Sequence, residues 1–179
     1  MKNKIYFAHP VNTYGTPLEE MMIIIIQETF PGFVIENPNQ EKHRIGYAKW
    51  KEKYENHVVK SGMNYFYDEV LADCEAGTVA MPFADMRFGA GVASETIYTI
   101  KKDRNVYLIE TPNLDNIRDF TEVEIGTMLQ WEKVRDSATS KEERDAVENK
   151  LVLSIAHTRL RTWTEYMVTK RPYEDAHLV

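Results

Sequence analysis

The sequence predicts an open α/β fold, a largely parallel sheet with helices on both faces, followed by a helical C-terminal extension. Three observations predict it. Short apolar runs alternate with helical spacing through residues 4–109, the order that builds parallel sheets through helical crossovers. A Gly-x-Gly loop, Gly89-Ala90-Gly91, stands between a strand-like run and a helix-like one. After Thr111-Pro112-Asn113 the strand signals stop and helix starts take over.

The first strand is read over 4–9. Thr16-Pro17-Leu18-Glu19 starts a helix, with Thr16 as N-cap, Pro17 at the first helical position and Glu19 closing a capping box. That helix runs to Phe30 and carries four successive isoleucines, so it is expected to be buried over much of its surface. Pro31-Gly32 stops it. Strand two is 33–35, ended by Asn37-Pro38-Asn39. Residues 38–60, with His43, Tyr47, Trp50, Tyr54 and His57, read as an insert holding one short helix, of the kind that serves as a lid or binding loop. A helix over 63–74 precedes strand three (77–81). The glycine loop, a helix over 92–100 and strand four (105–109) follow. Thr121-Glu122-Val123-Glu124 and Ser140-Lys141-Glu142-Glu143 are further capping boxes. The second is expected to open a long amphipathic helix with Val152, Ile155, Leu160, Trp163 and Met167 on one stripe. The chain reads as a single domain (1–179), an α/β core over 1–112 and a helical extension over 113–179.

Composition narrows the function. The chain has 179 residues, 43% hydrophobic and 28% charged, an ordinary globular balance. Its net charge of −6, without a Lys/Arg cluster, argues against a nucleic-acid polymer as partner and leaves a small nucleoside or nucleotide open. The single cysteine, Cys74, fits a reducing compartment. Neither a signal-peptide pattern nor a bilayer-length apolar run is apparent, so no membrane partner is expected and the cytoplasm is the expected location. The five histidines are scattered without metal-ligand spacing, and a metal or other cofactor is not expected. Phosphate-loop and nucleophile-elbow motifs are absent as well.

The segment from Met81 to Glu95 carries the strongest functional signal. Two glycines there allow a tight turn and close ligand approach. Glu95 falls in what reads as the first helical turn, at the carboxyl end of a strand, where open α/β sheets bind ligands. The helix N-terminus is expected to keep it ionised. Arg87 lies beside the loop. Asp68, in the helix before strand three, lies off the apolar stripe of Phe66, Val70, Leu71 and Cys74, and the helical wheel favours a solvated carboxylate. Asp73 and Asp85 compete for any second-carboxylate role. In the loop after strand one, His9 is either a substrate or proton-transfer group or a satisfied loop histidine. Tyr6 reads as a packing residue.

With those residues placed, the chain resembles the nucleoside 2-deoxyribosyltransferase superfamily, which includes the nucleoside 5′-monophosphate N-glycosidases. Lys4-Ile5-Tyr6-Phe7-Ala8-His9-Pro10 is similar to that family's strand-one motif, with His9 where glycine is common. Gly89-Ala90-Gly91-Val92-Ala93-Ser94-Glu95 is similar to its Gly-x-Gly/Ala-x-Glu motif, with Ile97 and Thr99 where glycine and alanine are usual. The resemblance covers roughly residues 4–110 and implies a Rossmann-like or flavodoxin-like sheet. It implies cleavage or exchange at an N-glycosidic bond through a glycosyl-enzyme on Glu95, with Asp68 as the catalytic aspartate. It implies a homo-oligomer, dimer or higher. Tyr6, Phe7, Tyr47, Trp50 and Phe83 are candidates to sandwich the base. His9, Pro10, Asn12, Arg87, Gly89, Gly91 and Ser94 are candidates to bind the substrate. The alternatives are a non-catalytic nucleotide sensor and a glycohydrolase of NAD-type dinucleotides.

Overall fold

The computed structural model describes residues 3–55, 62–83, 87–110 and 116–153. Strands β1 (Lys4–Ala8), β2 (Val34–Glu36), β3 (Thr78–Ala80), β5 (Val106–Ile109) and β6 (Ile117–Asp119) form one sheet in the order β2-β1-β3-β5-β6. The first four run parallel, and β6 returns antiparallel to β5. The short strands β4 (Arg87–Phe88) and β7 (Leu151–Val152) pair separately, antiparallel. The order reverses between β1 and β3, the switch point where the carboxyl ends of neighbouring strands leave a crevice.

Strand periodicity sorts the core into two layers. Ile5, Phe7, Val79, Met81 and Ile109 face α1 (Pro17–Thr29), against Leu18, Met22 and Ile26. Tyr6, Ala8, Ala80, Val106 and Leu108 face the other way, toward Val92, Ala93 and Ile97 of α4 (Ala90–Lys101). Helix α1 is less buried than its composition suggests. Of its apolar residues only the i, i+4, i+8 row of Leu18, Met22 and Ile26 is fully buried, and Ile24 is 59% exposed. A helix lying on one face of a sheet covers one stripe, whatever the rest of its sequence.

The stretch read as an insert is mostly a regular helix, α2 (Glu41–Lys53). Trp50 is buried, and its ring meets Tyr54 at 4.5 Å and Tyr65 at 6.2 Å between centroids. Helix α2 is therefore a layer of the fold, not a lid. The helix read over 63–74 is a composite. One turn of α-helix, α3 (Met63–Tyr65), widens to a π turn (Phe66–Val70) and tightens to a 3₁₀ turn (Leu71–Asp73). The Arg104 guanidinium clamps its end, donating to the carbonyls of Leu71 (2.7 Å), Ala72 (3.0 Å) and Cys74 (3.4 Å).

The capping box of Thr121 and Glu124 forms as read and opens α5 (Glu122–Asp136). Arg118 grips the same Glu124 carboxylate with two bonds of 2.8 and 2.9 Å, fixing β6 to α5. Ser140 caps α6 (Lys141–Val147), but the expected long helix does not follow. Glu148 is extended, Asn149 has φ +59°, and the chain turns into β7. Of the expected stripe, Val152 lies in that strand; Ile155, Leu160, Trp163 and Met167 lie outside the described residues. Among the described residues no helix is long and apolar enough to cross a membrane.

Candidate active site

A cavity of about 280 Å³ opens at the β1/β3 switch point. The loop after β1 supplies His9, Pro10, Val11 and Tyr14. The segment after β3 supplies Phe83. The first turns of α4 supply Gly89 to Val92 and Glu95, and Pro38, Met63, Phe66 and Asn149 complete the described wall. Aromatic and aliphatic groups dominate it, and among the described lining residues there is no Lys or Arg.

Glu95 is the cavity's carboxyl group among the described lining residues. It is 7% exposed, and the Tyr6 hydroxyl donates to its Oε1 at 2.8 Å. Tyr6 reaches it because residues 6 and 8 of β1 point toward α4. Burial raises the Glu95 pKa to about 8, and the Tyr6 hydrogen bond offsets this only in part. The expectation of a carboxylate kept ionised by the helix terminus is corrected here. Helix α4 begins at Ala90, so Glu95 is its sixth residue, beyond the first turn where the macrodipole acts. Desolvation then dominates. Burial, with the neighbouring Glu95 and Glu19 carboxylates adding to it, pushes the pKa of Tyr14 far upward, so that phenol remains neutral.

The glycines serve the site differently from the way their sequence suggests. Neither Gly89 nor Gly91 has a positive φ, so neither is required by a tight turn. A Cβ on Gly89 would sit 3.0 Å from the Phe83 ring. A Cβ on Gly91 would meet nothing within 4 Å. Gly91 lies one helical turn before Glu95, and helical side chains lean toward the N-terminus. The missing side chain thus leaves the Glu95 carboxyl group open toward the cavity.

The helix start is partly occupied. The Asn149 side chain accepts the Ala90 N–H at 2.5 Å through Oδ1, and Arg87 donates to the Asn149 carbonyl at 3.3 Å. Asn149 carries no motif; only its left-handed backbone, a conformation Asn tolerates, could have marked it. No sequence motif marks the lining residues Tyr14, Met63, Phe66 and Pro38 either, although Tyr14 lies in the loop after strand one.

Of the sequence-predicted residues, Glu95, His9, Pro10, Phe83, Gly89 and Gly91 line the cavity, and Tyr6 supports Glu95 from behind. The others are elsewhere. Asp68 is exposed in the π turn, and it is Phe66 of that turn that reaches the cavity. Ser94 faces α5, where Arg135 donates to its hydroxyl at 2.7 Å and Tyr67 hydrogen-bonds it. Arg87 lies over the Phe83 ring, 6.0 Å from its centroid, behind the wall. Asn12 is buried in the 3₁₀ turn Val11–Thr13 and does not line the cavity. Phe7 packs on the opposite face of the sheet, and Trp50 belongs to the α2 layer with Tyr47 packed beside it. Asp73 is exposed and pairs with Lys4 at 3.6 Å. Asp85 and His57 lie outside the described residues.

No family model, curated protein or solved structure matches this chain. The chemistry therefore has to come from the geometry. Among the described residues no three His, Cys, Asp or Glu side chains cluster as metal ligands. What the cavity offers is a buried carboxyl group facing a space walled by rings, with backbone N–H groups at one end.

Proposed function

We propose that the protein cleaves the N-glycosidic bond of a nucleoside or nucleoside 5′-monophosphate, or exchanges its base, with Glu95 as nucleophile. The observation that carries this reading is the Tyr6–Glu95 pair, buried beneath an aromatic-walled cavity at the β1/β3 switch point. Breaking an N-glycosidic bond builds positive charge on the sugar. A carboxylate in a water-poor cavity stabilises that charge and then bonds to the anomeric carbon. Phe83, Phe66 and Tyr14 are placed to pack against a planar base. A volume near the lower end of the roughly 300–1,000 Å³ typical of small-molecule sites favours one nucleoside over a dinucleotide. A lining without Lys or Arg among the described residues favours the nucleoside over its phosphate. The setting that goes with this reading is a homo-oligomeric cytoplasmic enzyme.

The test is an incubation with ribo- and deoxyribonucleosides, their 5′-monophosphates and NAD, read by chromatography for free base. Wild type releases base from a nucleoside or monophosphate, and Glu95→Gln releases none. New nucleoside formed on adding an acceptor base makes the enzyme a transferase. Full activity in Glu95→Gln would remove the nucleophile role.

One observation favours a second reading. The exposed position of Asp68 leaves Glu95 as the cavity's only carboxyl group among the described lining residues, as suits a sensor that binds a nucleotide without turning it over. Binding without base release, retained in Glu95→Gln, would establish the sensor. Asp68→Asn separates the family's assignment from this geometry. An exposed group outside the cavity predicts less than a threefold change in rate, well short of the roughly 100-fold or more that acid–base help supplies.

A further inference from the structure

Behind the cavity wall, bonded to the lining residue His9, lies a second buried carboxylate that the nucleophile role does not use. Glu19 is 4% exposed and, among the described residues, has no Lys or Arg partner. Four donors surround it instead. The Gly15 N–H (2.5 Å) and Asn39 Nδ2 (3.0 Å) bond Oε2; Asn37 Nδ2 (2.9 Å) and His9 Nε2 (3.2 Å) bond Oε1. Burial pushes the Glu19 pKa up, but the bonds from His9, Asn37 and Gly15 outweigh it and bring it down to about 2. The sequence suggested that Glu19 returns a bond to the N-cap. Instead Thr16 N–H donates to the Thr13 carbonyl, and Glu19 is released for this cluster.

An ionised carboxylate only accepts, so the ring hydrogen lies on Nε2 of His9. In the neutral ring Nδ1 is then a lone pair. That atom is buried and has no partner among the described residues. His9 belongs to the cavity wall, and its ring is enclosed there, 4.8 Å from the Tyr14 ring and with Phe7 edge-on at 4.1 Å. The imidazole is thus oriented at three points, with its basic nitrogen left over. No other described lining residue offers a base of this kind once Glu95 is the nucleophile.

We propose that Glu19 and His9 form a proton-transfer dyad in which Glu19 fixes the Nε2–H tautomer and His9 Nδ1 is the general base for the water that resolves the glycosyl-enzyme. The proposal rests on the glycosidase reading of Glu95. In that step the water oxygen bonds to the anomeric carbon while the bond from that carbon to Glu95 breaks. The electron pair of the broken bond returns to the Glu95 carboxylate. The water proton passes to Nδ1, and the imidazolium is balanced by Glu19. The imidazolium then gives this proton up to solvent, and in the next turnover the carbon–nitrogen bond breaks with its pair on the base, which takes its proton from solvent. His9 is the group that meets the reacting atoms; Glu19 is a positioning residue.

The experiment follows both halves of the reaction in wild type, His9→Gln and Glu19→Gln, with thermal melts to show that each variant is folded. His9→Gln is expected to release a burst of base stoichiometric with enzyme, then turn over about 100-fold more slowly. The sugar adduct accumulates on the Glu95 peptide by mass spectrometry, and azide, a nucleophile needing no base, restores turnover. Glu19→Gln shows the same pattern more weakly. Equal loss of burst and turnover would mark the dyad as merely structural, and an unchanged rate would also overturn the proposal. A wild type that releases no base removes the glycosidase reading, and the base role with it. The dyad itself is decided without substrate: ¹⁵N NMR of the His9 ring should show hydrogen on Nε2 and a bare Nδ1, and the reverse would refute it.

Discussion

Tyr6 and Glu95, 89 residues apart, share a buried hydrogen bond of 2.8 Å in which the phenol donates to the carboxyl group. The bond joins the central strand to the helix after the glycine loop. Among the described residues it is also the interaction that holds the Glu95 pKa down against burial.

Replacing Tyr6 by Phe should therefore move the titration of Glu95 upward from about 8. A nucleophile must be ionised, so kcat/KM of the wild type should rise with pH through about 8, since this ratio reports the free enzyme. In Tyr6→Phe the rise should lie at higher pH, with activity at neutral pH reduced and partly recovered in alkaline buffer. Loss of the bond should also cost about 1 kcal/mol of stability. The pH–rate profile checks the first point and denaturant titration the second. An unmoved midpoint would show that the bond does not govern Glu95.

The two buried carboxyl groups should pull stability in opposite directions with pH. Glu95 has its folded pKa raised from 4.5 to about 8. Its contribution is fully present below pH 4.5 and is lost as pH rises through about 8, because the unfolded chain ionises first. Glu19 has its folded pKa lowered from 4.5 to about 2. Its contribution is present above pH 4.5 and is lost as pH falls toward 2. Glu95→Gln should accordingly stabilise the protein at pH 9 by on the order of a few kcal/mol, seen as a higher melting temperature, and change it little at pH 4. Glu19→Gln should destabilise at pH 7 and progressively less toward pH 2. Melts across that range check both signs, and the same slope in both variants would refute the assignment.

Several elements were legible because local chemistry marks them. The strands are apolar runs, and the caps Thr16, Thr121 and Ser140 lie where the chain starts α1, α5 and α6. Glu95 was legible because a glycine loop precedes it. What stayed hidden depends on distant or atypical geometry. Helix α2 buries few residues, chiefly His43 and Trp50, so its amphipathic signal is faint. The helical wheel gave Asp68 correctly as solvated, but the π turn departs from the 3.6-residue period on which a wheel relies, and the wheel put Phe66 on the core stripe, not at the cavity. Asn149 reaches the α4 terminus from 59 residues away. The role of Glu19 was masked by a capping pattern that matched its sequence spacing but not its actual bonds.

Gly91 offers a test that separates the cavity from the fold. Its backbone needs no glycine, and a Cβ there meets nothing within 4 Å. Alanine and leucine both favour helix over glycine, by up to about 1 kcal/mol. Gly91→Ala and Gly91→Leu should therefore melt at or above the wild-type temperature. Their side chains, however, fall one turn before Glu95 on the cavity side of α4. Gly91→Leu should fill the approach to the carboxyl group and raise KM, or weaken ligand binding, by at least roughly tenfold, about 1.4 kcal/mol, with Gly91→Ala in between. Calorimetry with the best-bound nucleoside and a thermal melt on the same samples give the comparison. Leucine at 91 that stabilises the protein and leaves binding untouched would place the ligand elsewhere, because no nucleoside could reach Glu95 through this cavity without passing that side chain.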